Sequence, residues 1–181
     1  MFNPIAAWHT EHVYFNQLLN LLHRQVDVFH TGEQPNYELM MDVVSYLREY
    51  SDRVHHPRED AAFAILVKRC PDLAPMLARL GQEHRIIAQA GEVLLKALQA
   101  IVGGVIVPRV EVEVAAATYL VYYGNHIAKE EEDVLARAAK ELTRADWDAV
   151  KNAVAPVRDP LFGAEPESRF RELRRQIALE S

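Results

Sequence analysis

The sequence predicts an all-α fold, an up-down-up-down four-helix bundle with additional short C-terminal helices. Four long stretches repeat their apolar residues with the period of a helix. Short turns separate these stretches, and no segment shows the apolar–polar alternation of a strand. Long helices joined by short loops pack antiparallel to one another, which gives a bundle.

The first helix is expected from about residue 5 to 30 and the second from about residue 36 to 69. Pro57 lies inside the second helix, where it lacks a backbone N–H and restricts the residue before it. We therefore expect a kink at Pro57, with His56 displaced from helical geometry. The helix should continue beyond the kink, because the apolar spacing resumes in phase.

The third helix is expected from about residue 73 to 102 and the fourth from about residue 109 to 140. Gly103-Gly104 ends the third helix. Thr143 and Asp146 resemble a capping box and predict a short fifth helix that runs to about residue 154.

The chain divides into a bundle with its fifth helix, residues 1–155, and a C-terminal part, residues 156–181. This part is predicted to be a linker and a helix from about residue 166. Three apolar residues share one face of that helix: Phe170, Leu173 and Ile177. So short a helix is not stable alone. It should dock on its own bundle or on a second copy of the chain, so a homodimer is one possible state.

The composition excludes several classes of protein. The chain has 181 residues and a net charge of −6, and its basic residues are scattered, which argues against nucleic-acid binding. No apolar stretch is long enough to span a membrane, and the N-terminus has no features of a signal peptide. The only cysteine, Cys70, excludes an internal disulfide. We therefore expect a cytoplasmic protein without a membrane partner.

A histidine followed four residues later by a glutamate occurs on two of the predicted helices, as His55–Glu59 and His126–Glu130. This spacing places an imidazole and a carboxylate on one face of a helix, one turn apart. His12 and His84 lie on the apolar faces of the other two helices. In an antiparallel bundle, residues equally far from a connecting turn lie at one level. The four histidines meet this condition to within a few ångströms, at ~1.5 Å per residue.

The pattern favours a metal site over four separately satisfied core histidines, because two buried glutamates would need cationic partners in any case. Four imidazoles and two carboxylates exceed the needs of one tetrahedral zinc, and no thiolate is available. Carboxylates able to bridge, with imidazoles at the ends, suit two iron ions, with manganese less favoured. The Glu-x-x-His pattern of ferritin-like proteins is absent.

The sequence resembles the hemerythrin family, in the bacterial HHE cation-binding branch that is related to di-iron proteins of iron-centre repair. The resemblance covers about residues 5–140. Four motifs carry it: Glu11-His12, His55-His56-Pro57-Arg58-Glu59, Glu83-His84 and His126-Ile127-Ala128-Lys129-Glu130-Glu131.

The resemblance implies an oxo- or hydroxo-bridged di-iron centre. The matching residues are four terminal imidazoles and two bridging carboxylates: His12, His55, His84, His126, Glu59 and Glu130. Glu131 is a weaker candidate for a bridge. Oxygen-carrying hemerythrins have a second histidine four residues from the third-helix ligand, but Leu80 and Ala88 stand at these distances from His84. This departure implies an open iron position that is freer to react with peroxide or nitric oxide.

Five further residues invite assignment. His9 is a candidate fifth ligand, one turn from the site, and Tyr122 could bind iron or hydrogen-bond a bound molecule. His23 and His30 lie too far along the first helix, His30 by ~27 Å. His56 is expected on the surface or outside the ligand shell.

The sequence therefore predicts a non-haem di-iron protein that binds or reacts with O2, peroxide or nitric oxide, in an oxidative or nitrosative stress response or in iron-centre repair. The alternatives are a module that binds or senses oxygen or iron without turnover, and a metal-free structural bundle. Whether the protein is an enzyme stays open, because these activities share one ligand set and differ in the groups around it.

Overall fold

The computed structural model describes residues 4–180, apart from the side chains of His30 and Glu180. Helices and the connections between them make up this part of the chain, and it contains no β-strand. The predicted all-α class is confirmed. No helix within residues 4–180 combines the length and apolar character that crossing a membrane requires.

The first half of the chain forms α1 (Pro4–Thr31), α2 (Tyr37–Tyr46) and α3 (His56–Arg69). A π-helical segment, Leu47–His55, joins α2 to α3, so the helical run from Tyr37 to Arg69 is unbroken. The Asn36 side chain caps α2 by accepting the Leu39 backbone N–H. The helices expected here from the sequence are therefore present.

The second half contains α4 (Ala74–Val102), α5 (Arg109–Lys129) and α6 (Leu135–Glu141). A single 3-10 turn, Pro71–Leu73, leads into α4. A second π-helical segment, Glu130–Val134, joins α5 to α6. The fourth helix expected from the sequence is thus one helical run with a local change of pitch.

The expected displacement of His56 by Pro57 is wrong. His56 has helical backbone angles, φ −56° and ψ −41°, and its N–H donates to the carbonyl of Ser51, five residues earlier. The irregularity is the wider π-helical turn before the proline. Because bonds to the fifth residue widen the helix, this turn gives the proline ring room without moving His56 out of the helix.

A short α7 (Arg144–Ala153) follows, with the capping box that the sequence predicts between Thr143 and Asp146. The C-terminal helix begins later than expected, with a 3-10 turn at Ser168–Phe170 that continues into α8 (Arg171–Glu180).

The helices pack into a bundle in which α1 contacts α2 and α5, and α4 contacts α2, α3 and α5. The buried apolar residues form two clusters. The large apolar cluster includes Phe15, Leu18, Leu22, Met40, Leu47, Ile87, Leu94, Leu98, Val112, Tyr119, Tyr123 and Ile127. The small apolar cluster includes Trp8, Phe63, Leu66, Leu77, Leu80, Val134, Leu135 and Val150.

The C-terminal part covers the large apolar cluster. Its helix contacts α1 and α2, and Phe170 and Leu173 are buried within the cluster. Phe162 stacks on Tyr14 of α1 with ring centroids 3.9 Å apart. The tail therefore docks on its own chain, while the sequence-based division into residues 1–155 and 156–181 stays a prediction.

Candidate metal centre

The histidines predicted as ligands come together from four helical runs. His12 lies on α1, His55 at the end of the first π-helical segment, His84 on α4 and His126 on α5. All four side chains are buried. His12 and His84 each lie one turn from apolar residues on both sides of their own helices, so burial of these apolar faces carries the two imidazoles inward.

One side of the site is formed by His12 and His55. Their Nε2 atoms are 3.0 Å apart. Both lie close to the same carboxylate oxygen, Oε1 of Glu59, at 3.2 Å from His12 and 2.9 Å from His55. Two imidazole nitrogens and an oxygen that converge in this way leave room for one cation among them, at bond lengths of about 2.0–2.2 Å.

The other side is formed by His84 and His126. Nε2 of His126 lies 3.2 Å from Oε1 of Glu130, and Nε2 of His84 lies 3.8 Å from the same oxygen. His84 Nε2 is also 3.5 Å from Oε2 of Glu59. This side is wider than the first, and its donor atoms again face one common point.

Each of the two glutamates therefore presents one oxygen to each side. Glu59 directs Oε1 to His12 and His55 and Oε2 to His84. Glu130 directs Oε2 to His12, at 3.4 Å, and Oε1 to His84 and His126. A carboxylate placed in this way between two sets of imidazoles can bridge two cations.

The donor set fits a metal because several buried polar atoms have no partner. Within the site, the buried atoms without a hydrogen-bond partner among the described residues are Oε2 of Glu59, both carboxylate oxygens of Glu130 and Nε2 of His84 and His126. An unpartnered polar atom in a protein interior costs about 1–3 kcal/mol, and more when it is charged. Cations bound on the two sides of the site would together satisfy all five atoms.

A carboxylate outside the site faces Nδ1 of each imidazole. The four pairs and their distances are His12–Glu131 at 2.6 Å, His55–Glu11 at 2.6 Å, His84–Asp60 at 2.9 Å and His126–Glu83 at 3.3 Å. Such partners fix the tautomer with hydrogen on Nδ1 and leave the Nε2 lone pair free for a metal.

These outer carboxylates form a closed ring around the bundle. Each of them is the sequence neighbour of a site residue on its own helix, yet supports the imidazole of the next helix. Glu11 on α1 supports His55, Asp60 on α3 supports His84, Glu83 on α4 supports His126, and Glu131 supports His12 of α1. The orientation of every imidazole therefore depends on a neighbouring helix.

The carboxylates also set the electrostatics of the site. Burial lowers the pKa of His55, but Glu59 and Glu11 outweigh burial and raise it to about 9. Burial raises the pKa of Glu59, but contacts with His55, His12 and His84 hold it well below its usual range. Glu11, held by His55 and by Arg58 at 2.7 Å, has its pKa lowered to about 2 despite burial. The Glu59 and Glu11 carboxylates are thus held ionised beside His55, and a bound cation would take the place of the proton on that imidazole.

His56 was expected on the surface or outside the ligand shell, and the surface position is wrong. This side chain is 3% exposed, and its ring stacks on that of His84 with centroids 4.2 Å apart. Burial and the neighbouring His84 hold the pKa of His56 well below its usual range. The π-helical segment explains the difference, because a wider turn rotates the residues that follow it relative to a regular helix.

Tyr122 is also placed differently from the prediction. Its side chain is 41% exposed, whereas Tyr123 is fully buried and lies 5.7 Å from the His56 ring, centroid to centroid. Tyr119 is buried as well, and its ring packs edge-on against Tyr123. Both Tyr122 and Tyr123 have a helical spacing from Tyr119, and only the packing selects Tyr123.

The other candidates lie outside the cluster. His9 is exposed and contacts Glu131, and His23 is exposed and contacts Asp27. Glu131 contacts Nδ1 of His12, on the outer side of the ring, and is therefore not placed to bridge two cations. The prediction for His30 concerns a side chain outside the described residues.

The sequence reasoning did not predict the supporting roles of four residues: Glu11, Asp60, Glu83 and Ser51. The first three have a simple signal, because each is the immediate neighbour of a site residue in the sequence. Ser51 carries no such signal. Its hydroxyl lies 3.1 Å from Nε2 of His56 and accepts a hydrogen bond from Tyr123.

A helical bundle with a buried set of imidazoles and carboxylates is typical of helical cation-binding proteins. Comparison with protein families identifies a match to the hemerythrin HHE cation binding domain over residues 3–138. The chain therefore belongs to the hemerythrin family. Comparisons with curated proteins and with solved structures find no match.

Proposed function

We propose that this hemerythrin-family chain is a non-haem di-iron protein whose ligands are small oxidants: O2, peroxide or nitric oxide. The terminal ligands would be His12, His55, His84 and His126. Glu59 and Glu130 would bridge the two irons. We further propose the up-down-up-down order of the four helical runs and a cytoplasmic location, both from the sequence.

The observation that carries the proposal is the division of each glutamate between two sets of imidazoles. Oε1 of Glu59 lies 2.9 Å from His55 and Oε2 lies 3.5 Å from His84. A mononuclear site would gather the oxygens on one side. Two irons bound here would supply paired redox centres and open coordination positions.

The surrounding residues prepare the site for that chemistry. The outer carboxylates hold each imidazole with Nε2 directed inward. Phe15 packs edge-on against His55, with ring centroids 4.9 Å apart, and Tyr123 and Ile127 are buried near His126. This apolar wall excludes water from one side of the cluster and strengthens the electrostatic interactions inside it.

Within this function, we favour decomposition of peroxide or reaction with nitric oxide, in stress response or iron-centre repair, because His84 has no histidine partner four residues away. The alternative is reversible binding or sensing of oxygen or iron. The protein should be loaded anaerobically with Fe(II) and mixed with peroxide. Oxygen evolution should exceed that of free iron and of a His55→Ala variant.

The matched control is His23→Ala, which removes an exposed histidine from the helix that carries His12. It should keep wild-type iron content and activity. A stable oxygenated form that releases O2 under vacuum would favour the binding module. If neither peroxide nor nitric oxide reacts with the iron-loaded protein, the proposed activity is wrong.

A further inference from the structure

His56 is buried among the predicted metal ligands, although it is not one of the ligands that the sequence predicts. A ring nitrogen of His56 lies within 4.8 Å of ligand atoms of Glu59, His84 and His126. The ring is parallel to that of His84, with an interplanar angle of 11°. It is perpendicular to that of His126, at a centroid distance of 5.5 Å. The His84 side of the site therefore contains three imidazoles.

Like the other four imidazoles, His56 has a carboxylate facing Nδ1, although this carboxylate lies on its own helical run and is not hydrogen-bonded to it. Asp52 Oδ1 lies 3.4 Å from Nδ1 of His56, where the other rings have Glu11, Glu131, Asp60 or Glu83. This oxygen has no hydrogen-bond partner among the described residues, so it is an unused acceptor beside Nδ1.

The other ring nitrogen of His56, Nε2, contacts a hydroxyl group that can give up this contact to another partner. Nε2 lies 3.1 Å from the hydroxyl of Ser51, which also accepts the Tyr123 hydroxyl. A hydroxyl rotates freely about its C–O bond and can exchange partners. Both nitrogens of a buried imidazole need polar partners, and here one partner is an exchangeable hydroxyl and the other is a carboxylate oxygen at 3.4 Å.

We infer that His56 is a fifth imidazole ligand, bound to the cation on the His84 and His126 side. The inference rests on the proposed di-iron function and adds to it. The two metal positions are then unequal, with His12 and His55 at one and three imidazoles at the other. The fifth histidine that the third helix lacks is supplied from the second helical run, beside His55. An open position for peroxide or nitric oxide would then remain on the side with two imidazoles.

The test is an anaerobic Fe(II) titration of the full chain, followed by Mössbauer spectra of protein loaded with ⁵⁷Fe. Wild type should bind two irons and give two unequal quadrupole doublets. His56→Ala should keep the first iron and lose affinity for the second by roughly tenfold or more. Added imidazole should restore the second iron. His23→Ala is the matched control and should match wild type.

Replacing His56 with a carboxylate residue distinguishes a role as a metal ligand from a role in core packing. His56→Glu offers a different ligand atom and should retain two irons while changing only one doublet. If His56→Ala does not fold, the spectrum of His56→Glu decides, and two unchanged doublets overturn the inference. Wild-type affinity in His56→Ala would overturn it as well. If wild type itself binds less than one iron, the proposed di-iron function fails instead.

Discussion

The large and small apolar clusters lie on either side of the candidate metal centre along every helical run. On each run, a site residue stands between a residue of the small cluster and one of the large: Trp8–His12–Phe15, Phe63–Glu59–Val54, Leu80–His84–Ile87 and Val134–Glu130–Ile127. The large cluster also receives the C-terminal part of the chain. The large cluster should therefore stabilise its half of the bundle alone, whereas the small cluster should depend on the cations that we propose between the two clusters.

The expected difference in stability between the two clusters follows from how the two halves of the bundle are connected. Two of the helices that contribute to the small cluster, α3 and α6, each follow a π-helical segment at the site. Mid-helix changes of pitch are less regular than an α-helix and often mark functional sites. Cations that tie Glu59 and Glu130 together would fix α3 and α6 relative to α1 and α4.

The largest effect is expected from Glu59, which contacts His12, His55 and His84. Glu59→Gln keeps the size of the side chain but removes the charge that a bridge requires. Iron content should fall from about two per chain to less than one. The control is Glu92→Gln, which changes a surface carboxylate of α4 that pairs with Lys96. Two tightly bound irons in Glu59→Gln would show that this residue is not a bridge.

Removal of the cations tests the comparison directly. A cation at a thousand times its Kd stabilises the folded state by about 4 kcal/mol. Chelation should therefore speed amide hydrogen exchange in α3 and α6, by up to roughly a thousandfold. The half of α4 that contains Leu94 and Leu98 should keep its protection. An equal loss of protection in both halves would mean that the two clusters are one cooperative unit.

Two matched substitutions, one that creates a cavity in each cluster, sharpen the comparison between the large and small clusters. Leu66 in the small cluster and Leu98 in the large cluster are both fully buried. Each Leu→Ala change should cost about 2–5 kcal/mol of unfolding free energy. Only Leu66→Ala should also weaken iron binding, because α3 carries Glu59. Equal iron affinities in the two variants, measured by titration against a chelator, would contradict the division.

The smallest effect concerns α7, which packs on α3. Hydrogen bonds from the Thr143 side chain and backbone, and from Arg69, lower the pKa of Asp146 from 3.8 to about 2. A lowered folded-state pKa stabilises the protein above the unfolded pKa, and the stabilisation disappears as the pH falls through the folded value. In chelated protein, Asp146→Ala should therefore be less stable than wild type at pH 6, with the difference vanishing near pH 2. A difference that does not change with pH would contradict this role.

The sequence could predict the level at which the histidines meet, because the distance from each turn sets the height of a residue in a bundle. It could not predict the rotation of each helix. The spacing from Tyr119 permits either Tyr122 or Tyr123 to face inward, and only the packing selects Tyr123. His56 was misplaced because the π-helical turn before it was not foreseen.

The outer carboxylates show a similar limit. Glu11 and Glu83 are visible next to His12 and His84 in the sequence, but they support His55 and His126 on neighbouring helices. A one-dimensional pattern shows which residues are adjacent along the chain. It does not show which helix a side chain reaches, because that depends on the order and rotation of helices in the bundle.

The most direct test of the central claim, that Glu59 and Glu130 join two cations, is X-ray absorption at the iron edge of the anaerobically Fe(II)-loaded full chain. We expect about two irons per chain, a first shell of nitrogen and oxygen, and an iron–iron distance of about 3.5–4 Å. A single iron per chain with no iron–iron distance in the spectrum would contradict the bridging arrangement.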